Sequence, residues 1–313
     1  MKHTLVGYTG FVGGNLAAGH SFDGLYNSRN IAESFGQSNG LVVYSGMPSE
    51  KFLANADPAA DLEQARTAFQ NICRMKPERL VLISTVDVYQ TPVAVYEDSP
   101  TGAETAPAYG KNRFALETWV RQEFPGALIV RLPGLFGKGL KKNFIYDALT
   151  LVPSVLTEQK YIQLAAESPL VGQSYRPGKA GFYRLGELSS SQSEALYAHF
   201  SAAAFNSLQF TDSRSVFQFY NLARLWADLE RCLKAELLLV NMAVQPTEAG
   251  WLYQKVFGGA IENHLPKPPA RYDLRTRFAA ELGGKDGYLV CAEEVAGEIA
   301  AFAESWKNTN PAR

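Results

Sequence analysis

The feature that most constrains this 313-residue chain is the spacing of three glycines near its start, Gly7, Gly10 and Gly13. Leu5 and Val6 close a short apolar run suited to a buried strand, and Asn15-Leu16-Ala17-Ala18 can continue as a helix. Strand, glycine turn and helix in that order open a dinucleotide-binding unit. One glycine permits the tight turn, another lets the backbone approach a pyrophosphate, and the third lets the helix pack closely on the sheet. The phosphates would rest on free N–H groups at the positive end of the helix. The spacing is Gly-x-x-Gly-x-x-Gly rather than the Gly-x-Gly-x-x-Gly fingerprint. Gly7, Thr9, Gly10, Phe11, Val12 and Gly13 are the first candidate cofactor residues.

The rest of the composition narrows the class. A formal net charge of −1 gives no general pull toward nucleic acid or an anionic membrane. No apolar run is long enough to span a bilayer, and Met1-Lys2-His3 leads into a strand rather than a signal peptide. Cys73, Cys232 and Cys291 fit neither a zinc pattern nor a secreted disulfide framework, so a cytoplasmic protein is expected. His3, His20, His199 and His264 form no metal-ligand pair at helical spacing, and no metal site is expected.

Along the chain, Leu25-Tyr26-Asn27 reads as a second strand. Where a dinucleotide fold often places an acid for the ribose hydroxyls, this sequence has Asn27-Ser28-Arg29. Arg29 and Ser28 suit a 2′-phosphate through charge-assisted hydrogen bonds, which favours NADP over NAD. An ordinary polar turn would look the same. Leu41–Tyr44 is a third strand, apolar throughout as parallel strands buried on both faces are. Tyr44, Ser45 and Gly46 at its carboxyl end join the cofactor candidates, since open α/β sheets bind ligands at that edge. Pro58 to Met75 is an amphipathic helix with Leu62, Ala65, Phe69, Ile72 and Cys73 on one face. Arg79 to Ser84 is a fourth strand.

The chemistry begins there. Ser84-Thr85-Val86-Asp87-Val88-Tyr89 puts hydroxyls at the carboxyl end of the fourth strand. A further helix then carries Tyr109-Gly-Lys-Asn-Arg113-Phe-Ala-Leu-Glu117, with Thr105 as its expected N-cap and Pro107 in its first turn. Tyr109 and Arg113 are four apart and share a helix face, whereas Lys111 faces away.

Gly7-x-x-Gly10-Phe11-x-Gly13, Ser84-Thr85-x-x-Val88-Tyr89 and Tyr109-Gly-Lys-Asn-Arg113 together resemble the extended short-chain dehydrogenase/reductases, within them the epimerase/dehydratase group acting on nucleotide sugars. The resemblance implies an α/β Rossmann-type doubly wound parallel sheet with a smaller C-terminal substrate lobe. Residues 1–150 would bind NAD(P). Residues 151–313 would be a mixed region, a substrate lobe plus segments near 215–245 that return to the main sheet. It also implies that Thr85 hydrogen-bonds the reacting oxygen, that Tyr109 is the general acid/base, and that Pro133 packs near the nicotinamide. The resemblance also implies a homodimer, since family members often pair through the helix bearing Tyr109 and the one before it.

The sequence departs from the family at two places. The family lysine four residues after the tyrosine is Arg113 here. A free tyrosine titrates near 10, so work near neutrality asks for roughly 4 kcal/mol. One cation about 4 Å away at an effective dielectric of about 20 supplies that much, so Arg113 is expected to lower Tyr109 without copying a lysine's reach. The sugar dehydratases carry Thr-Asp-Glu where this chain has Thr85-Val86-Asp87, and valine cannot protonate a leaving hydroxyl. Epimerisation or keto-sugar reduction is preferred over dehydration. A cofactor-binding regulatory protein without turnover is the alternative. Asp87, Asn143, Gln218 and Tyr220 are the candidate substrate contacts; Arg131 reads as a structural ion-pair partner, and Trp226 and Leu229 as core.

Overall fold

The computed structural model describes residues 1–102, 104–178 and 181–309. The chain forms two compact units, one of residues 1–139, 216–247 and 271–295, the other of residues 140–215, 248–270 and 296–313. The first is built on six parallel strands. These are β1 (His3–Val6), β2 (Gly24–Tyr26), β3 (Leu41–Tyr44), β4 (Arg79–Thr85) and Leu128–Leu132, with Leu239–Asn241 at the far edge. In space the order runs Leu239–Asn241, Leu128–Leu132, β4, β3, β1, β2. The chain moves outward from β1 to β2 and then returns to lay β3 on the other side of β1. The direction of winding therefore reverses between β1 and β3, where sheets of this kind bind ligands. This is the Rossmann-type α/β sheet expected from the sequence.

Apolar side chains explain the layers. Val6, Val42, Tyr44, Leu80, Leu82 and Ile129 on one sheet face pack against two helices, α3 (Pro58–Met75) and α4 (Ala108–Glu123). Helix α3 buries Asp61, Ala65, Ala68, Ile72 and Met75, a face turned slightly from the one predicted. The turn arises because Asp61 is drawn inward by partners on α4. A first helix, α1 (Phe11–Gly19), follows β1, and a short one, α2 (Lys51–Ala56), precedes α3. Helix α4 starts later than predicted: Pro107 is its N-cap, and Thr105 belongs to a turn closed onto the Gly102 carbonyl.

The strand expected over 215–220 breaks into Val216–Phe217 and Phe219–Asn221, the latter pairing with Gly134–Phe136. Leu239–Asn241 joins Leu128–Leu132 at the sheet edge. Trp226 and Leu229 are core residues, as the helical spacing predicted.

The second unit carries its own apolar cluster around Leu156, Leu164, Val171, Tyr175, Leu196 and Phe200, with a three-stranded antiparallel sheet. Its helix Ser190–Ala202 starts at a capping box between Ser189 and Gln192. Among the described residues no helix is long and apolar enough to cross a membrane.

Candidate active site

Because β1, β3 and β4 are parallel, Gly7, Ser45 and Thr85 emerge at one edge of the sheet. Gly7 turns the chain with φ +91°, and a Cβ there would stand 2.6 Å from the Ser45 carbonyl oxygen. A Cβ on Gly13 would stand 2.2 Å from the Gly7 carbonyl oxygen, so α1 can dock only on a bare backbone. Gly10 is the N-cap of α1; no side chain caps it and no acid lies in the first turn. Helix geometry leaves the N–H groups of that turn without intrahelical partners. The cradle thus fits an anionic pyrophosphate, with Thr9 exposed and Phe11 and Val12 half-buried at its mouth. Asn15, one turn on, accepts from the Lys138 amide at 3.0 Å and donates to its carbonyl at 2.8 Å.

Around this turn, the Ser45 amide and hydroxyl both donate to the Val6 carbonyl. The Tyr44 ring lies in the core, and burial pushes its phenol up to about 12. Gly46 is exposed. Beyond β2, Asn27 accepts from the Arg29 amide at 2.9 Å, which shapes the loop and leaves the Ser28 and Arg29 side chains exposed. Pro133 is half-buried just after Leu128–Leu132.

At the end of β4, Thr85 caps a short turn over Val86–Val88. Its hydroxyl accepts from the Asp87 amide at 3.2 Å and donates to the Asp87 carboxylate at 3.0 Å. The other carboxylate oxygen accepts from Lys51 Nζ on α2 at 2.6 Å. Val86 points into a separate apolar cluster with Val88 and Leu274, so no polar group stands at its position. Burial alone would pull the Lys51 ammonium down, but Asp87, with help from Tyr272 and Tyr109, carries it above its ordinary value.

Tyr109 is held over this turn from three sides. Its amide donates to Asn55 of α2 at 3.0 Å. A Cβ on the next residue, Gly110, would stand 1.9 Å from the Asp87 carbonyl oxygen, so α4 sits directly on the turn. The Lys51 ammonium lies 5.9 Å and the Arg113 guanidinium 4.5 Å from the Tyr109 ring centroid.

Arg113 shares a helix face with Tyr109 as predicted, but its charge is directed elsewhere. One nitrogen donates to both Asp61 oxygens at 3.0 and 2.9 Å, another to the Pro48 carbonyl at 2.6 Å. Asn112 adds a bond to Asp61 at 2.9 Å. The expected fall in the Tyr109 pKa does not follow: burial pushes the phenol up, Arg113 opposes it, Asp87 adds to it, Lys51 opposes and Asp61 adds. The pair argument failed because it placed one cation beside the phenol and left out, first, the burial of the phenol and, second, the anions Asp87 and Asp61 that offset the cations.

The remaining candidates have partners of their own. Gln218 is buried, with its amide donating to the Val244 and Leu274 carbonyls and accepting from the Leu274 amide. Tyr220 is fully buried and donates to Asp228 at 2.6 Å. Both polar ends are committed to the interior, which corrects their expected role as substrate contacts. Asn143, in the second unit, caps the helix Phe144–Thr150 by accepting from the Tyr146 amide. Arg131 makes a buried ion pair with Glu117 at 2.6 Å, as expected of a structural partner.

Sequence reasoning missed Lys51, Asn55, Asp61 and Gly110. Only Gly110 carried a local signal, a glycine in the first turn of a helix where propensity disfavours one.

No protein-family model and no curated protein sequence matches the chain. Solved structures do. A dTDP-4-dehydrorhamnose reductase from Bacillus anthracis in complex with NADP is 15% identical, covers 96% of this chain and 99% of its own, and has a TM-score of 0.61. A UDP-glucose 4-epimerase from Bifidobacterium longum in complex with NAD+ and UDP is 15% identical over 100% of this chain and 99% of its own, with a TM-score of 0.64. An NAD-dependent NDP-hexosamine 5,6-dehydratase is 13% identical over 98% of both chains, at 0.60. The fold is that of these nucleotide-sugar enzymes, in keeping with the motifs at Gly7, Ser84 and Tyr109.

Proposed function

We propose that this chain is an NAD(P)-dependent epimerase or keto-sugar reductase acting on a nucleotide-activated sugar. The observation that carries the reading is the linkage of Thr85 to Tyr109 through Asp87 and Lys51, at the same sheet edge as the uncapped glycine turn. Gly7, Gly10 and Gly13 would hold the pyrophosphate, with Arg29 and Ser28 beside the adenosine ribose, where their chemistry favours a 2′-phosphate. The bound nicotinamide would supply or accept the hydride. Thr85 would hydrogen-bond the reacting oxygen, Tyr109 would move its proton, and Asp87 would orient a neighbouring sugar hydroxyl. Val86, buried and apolar, argues against the leaving-group protonation that dehydration needs.

One observation favours a second reading, a cofactor-binding protein with little turnover: Arg113 is neutralised by Asp61 and the Tyr109 phenol is pushed up rather than down. A fluorescence titration with NADPH and NADH, followed by a stopped-flow assay against a 4-keto nucleotide sugar, separates the two. Binding with hydride transfer that falls at least a hundredfold in Tyr109→Phe supports the enzyme. Undiminished transfer in that variant overturns the role of Tyr109, and binding without any transfer supports the second reading.

A further inference from the structure

Two ion pairs border the Tyr109 ring, and they differ in kind. Arg113 and Asp61 have side chains 4% and 6% exposed, joined through both carboxylate oxygens and braced by Asn112 and the Pro48 carbonyl. Separating them would strand a buried charge, so their combined effect on Tyr109 is fixed. Lys51 and Asp87 meet through one contact at 2.6 Å, with side chains 52% and 21% exposed. Such an open pair is marginal in stability and easily exchanged. The groups facing Tyr109 are thus Arg113 of its own helix, Lys51 from α2, Asp61 from α3 and Asp87 from the turn after β4, with Tyr272 lying against Lys51.

We propose that Lys51 is the positioning residue that adjusts the proton affinity of Tyr109, with Asp87 as its releasable counter-ion. While Asp87 holds the ammonium, its negative charge cancels most of what Lys51 offers the phenol. A sugar hydroxyl donating to Asp87 competes with Lys51 for the same carboxylate. A hydroxyl bonded to the carboxylate takes up part of its charge, so the ammonium, 5.9 Å from the Tyr109 ring centroid, is less cancelled and favours the phenolate more. A lysine arriving from α2 thereby does the adjustable part of the work that the sequence motif assigns to position 113, and it does so only when substrate is in place.

The inference takes Tyr109 as proton carrier from the function proposed above, but its test needs neither nicotinamide nor sugar. Fluorotyrosine placed at position 109 is titrated by fluorine NMR in the intact protein. Asp87→Asn, which removes the counter-charge altogether, should lower the midpoint by about one pH unit, the Coulomb effect at this distance discounted for solvent. Lys51→Met should raise it, Lys51→Arg should restore it, and the double variant Lys51→Met/Asp87→Asn should return near the unsubstituted value. Midpoints unmoved by either single change, or a double variant whose midpoint stays as far below the unsubstituted value as that of Asp87→Asn alone, overturn the proposal. Unmoved midpoints beside normal hydride transfer would sink this inference alone. Shifted midpoints beside absent transfer would sink the function and leave the ion-pair switch standing.

Discussion

Gly110 and Asp87 touch through their backbones: a single Cβ on Gly110 would lie 1.9 Å from the Asp87 carbonyl oxygen. The contact sets the height of α4 above the end of β4, and with it the height of Tyr109. Gly110→Ala should therefore displace the helix start, costing about 1–3 kcal/mol as an overpacked site does. Urea denaturation reads the loss. Activity should fall further than stability alone explains, since Tyr109 moves with the helix.

Gly13 faces the Gly7 carbonyl at a similar distance, whereas nothing lies within 4 Å of a Cβ on Gly19 at the other end of α1. Gly13→Ala should weaken NADPH binding about tenfold or more, and Gly19→Ala should leave it unchanged. Equal affinities in the two variants would remove the pyrophosphate from this turn.

The buried pair between α3 and α4 gives a stability test. Arg113→Met leaves the Asp61 carboxylate buried and uncompensated, which costs about 3–5 kcal/mol. Adding Asp61→Asn should recover much of that loss, because the second change removes the stranded charge. Failure to recover would mean that Arg113 acts mainly through the Pro48 carbonyl.

Asp147, in the second unit, is pushed by burial up to about 7. A carboxyl whose folded value exceeds its unfolded one is favourable to folding only while protonated. The contribution of Asp147 should thus be most favourable below pH 4 and decline as pH climbs to about 7, where its cost is nearly complete. Asp147→Asn should abolish that decline and gain on the order of 3 kcal/mol at neutral pH. Parallel pH–stability curves for the two proteins would show that the carboxylate is solvated.

The sheet was legible because its signals are local. Leu41–Tyr44 and Leu128–Ile-Val130 are apolar runs that only a strand buried on both faces accommodates, and Pro58 to Met75 repeats with a helical period. Thr85 and Tyr109 were singled out by their motifs. Lys51 and Asp61 were not, since each acquires meaning only from a partner more than thirty residues away. Gln218 and Tyr220 misled for the opposite reason: a polar residue alternating with apolar ones reads as solvent-facing, but backbone carbonyls and Asp228 satisfy both inside the protein.

Asp61 is gripped at once by Asn112 and Arg113, two consecutive residues of α4, and this binds the evolutionary fates of the three positions together. A chain drifting from arginine to lysine at 113 would loosen the fork that holds the acid, so the acid should drift with it. Aligned relatives are expected to show arginine at 113 alongside aspartate at 61, and lysine at 113 alongside a neutral residue. Free assortment of the two columns would mean that the clasp is peculiar to this chain.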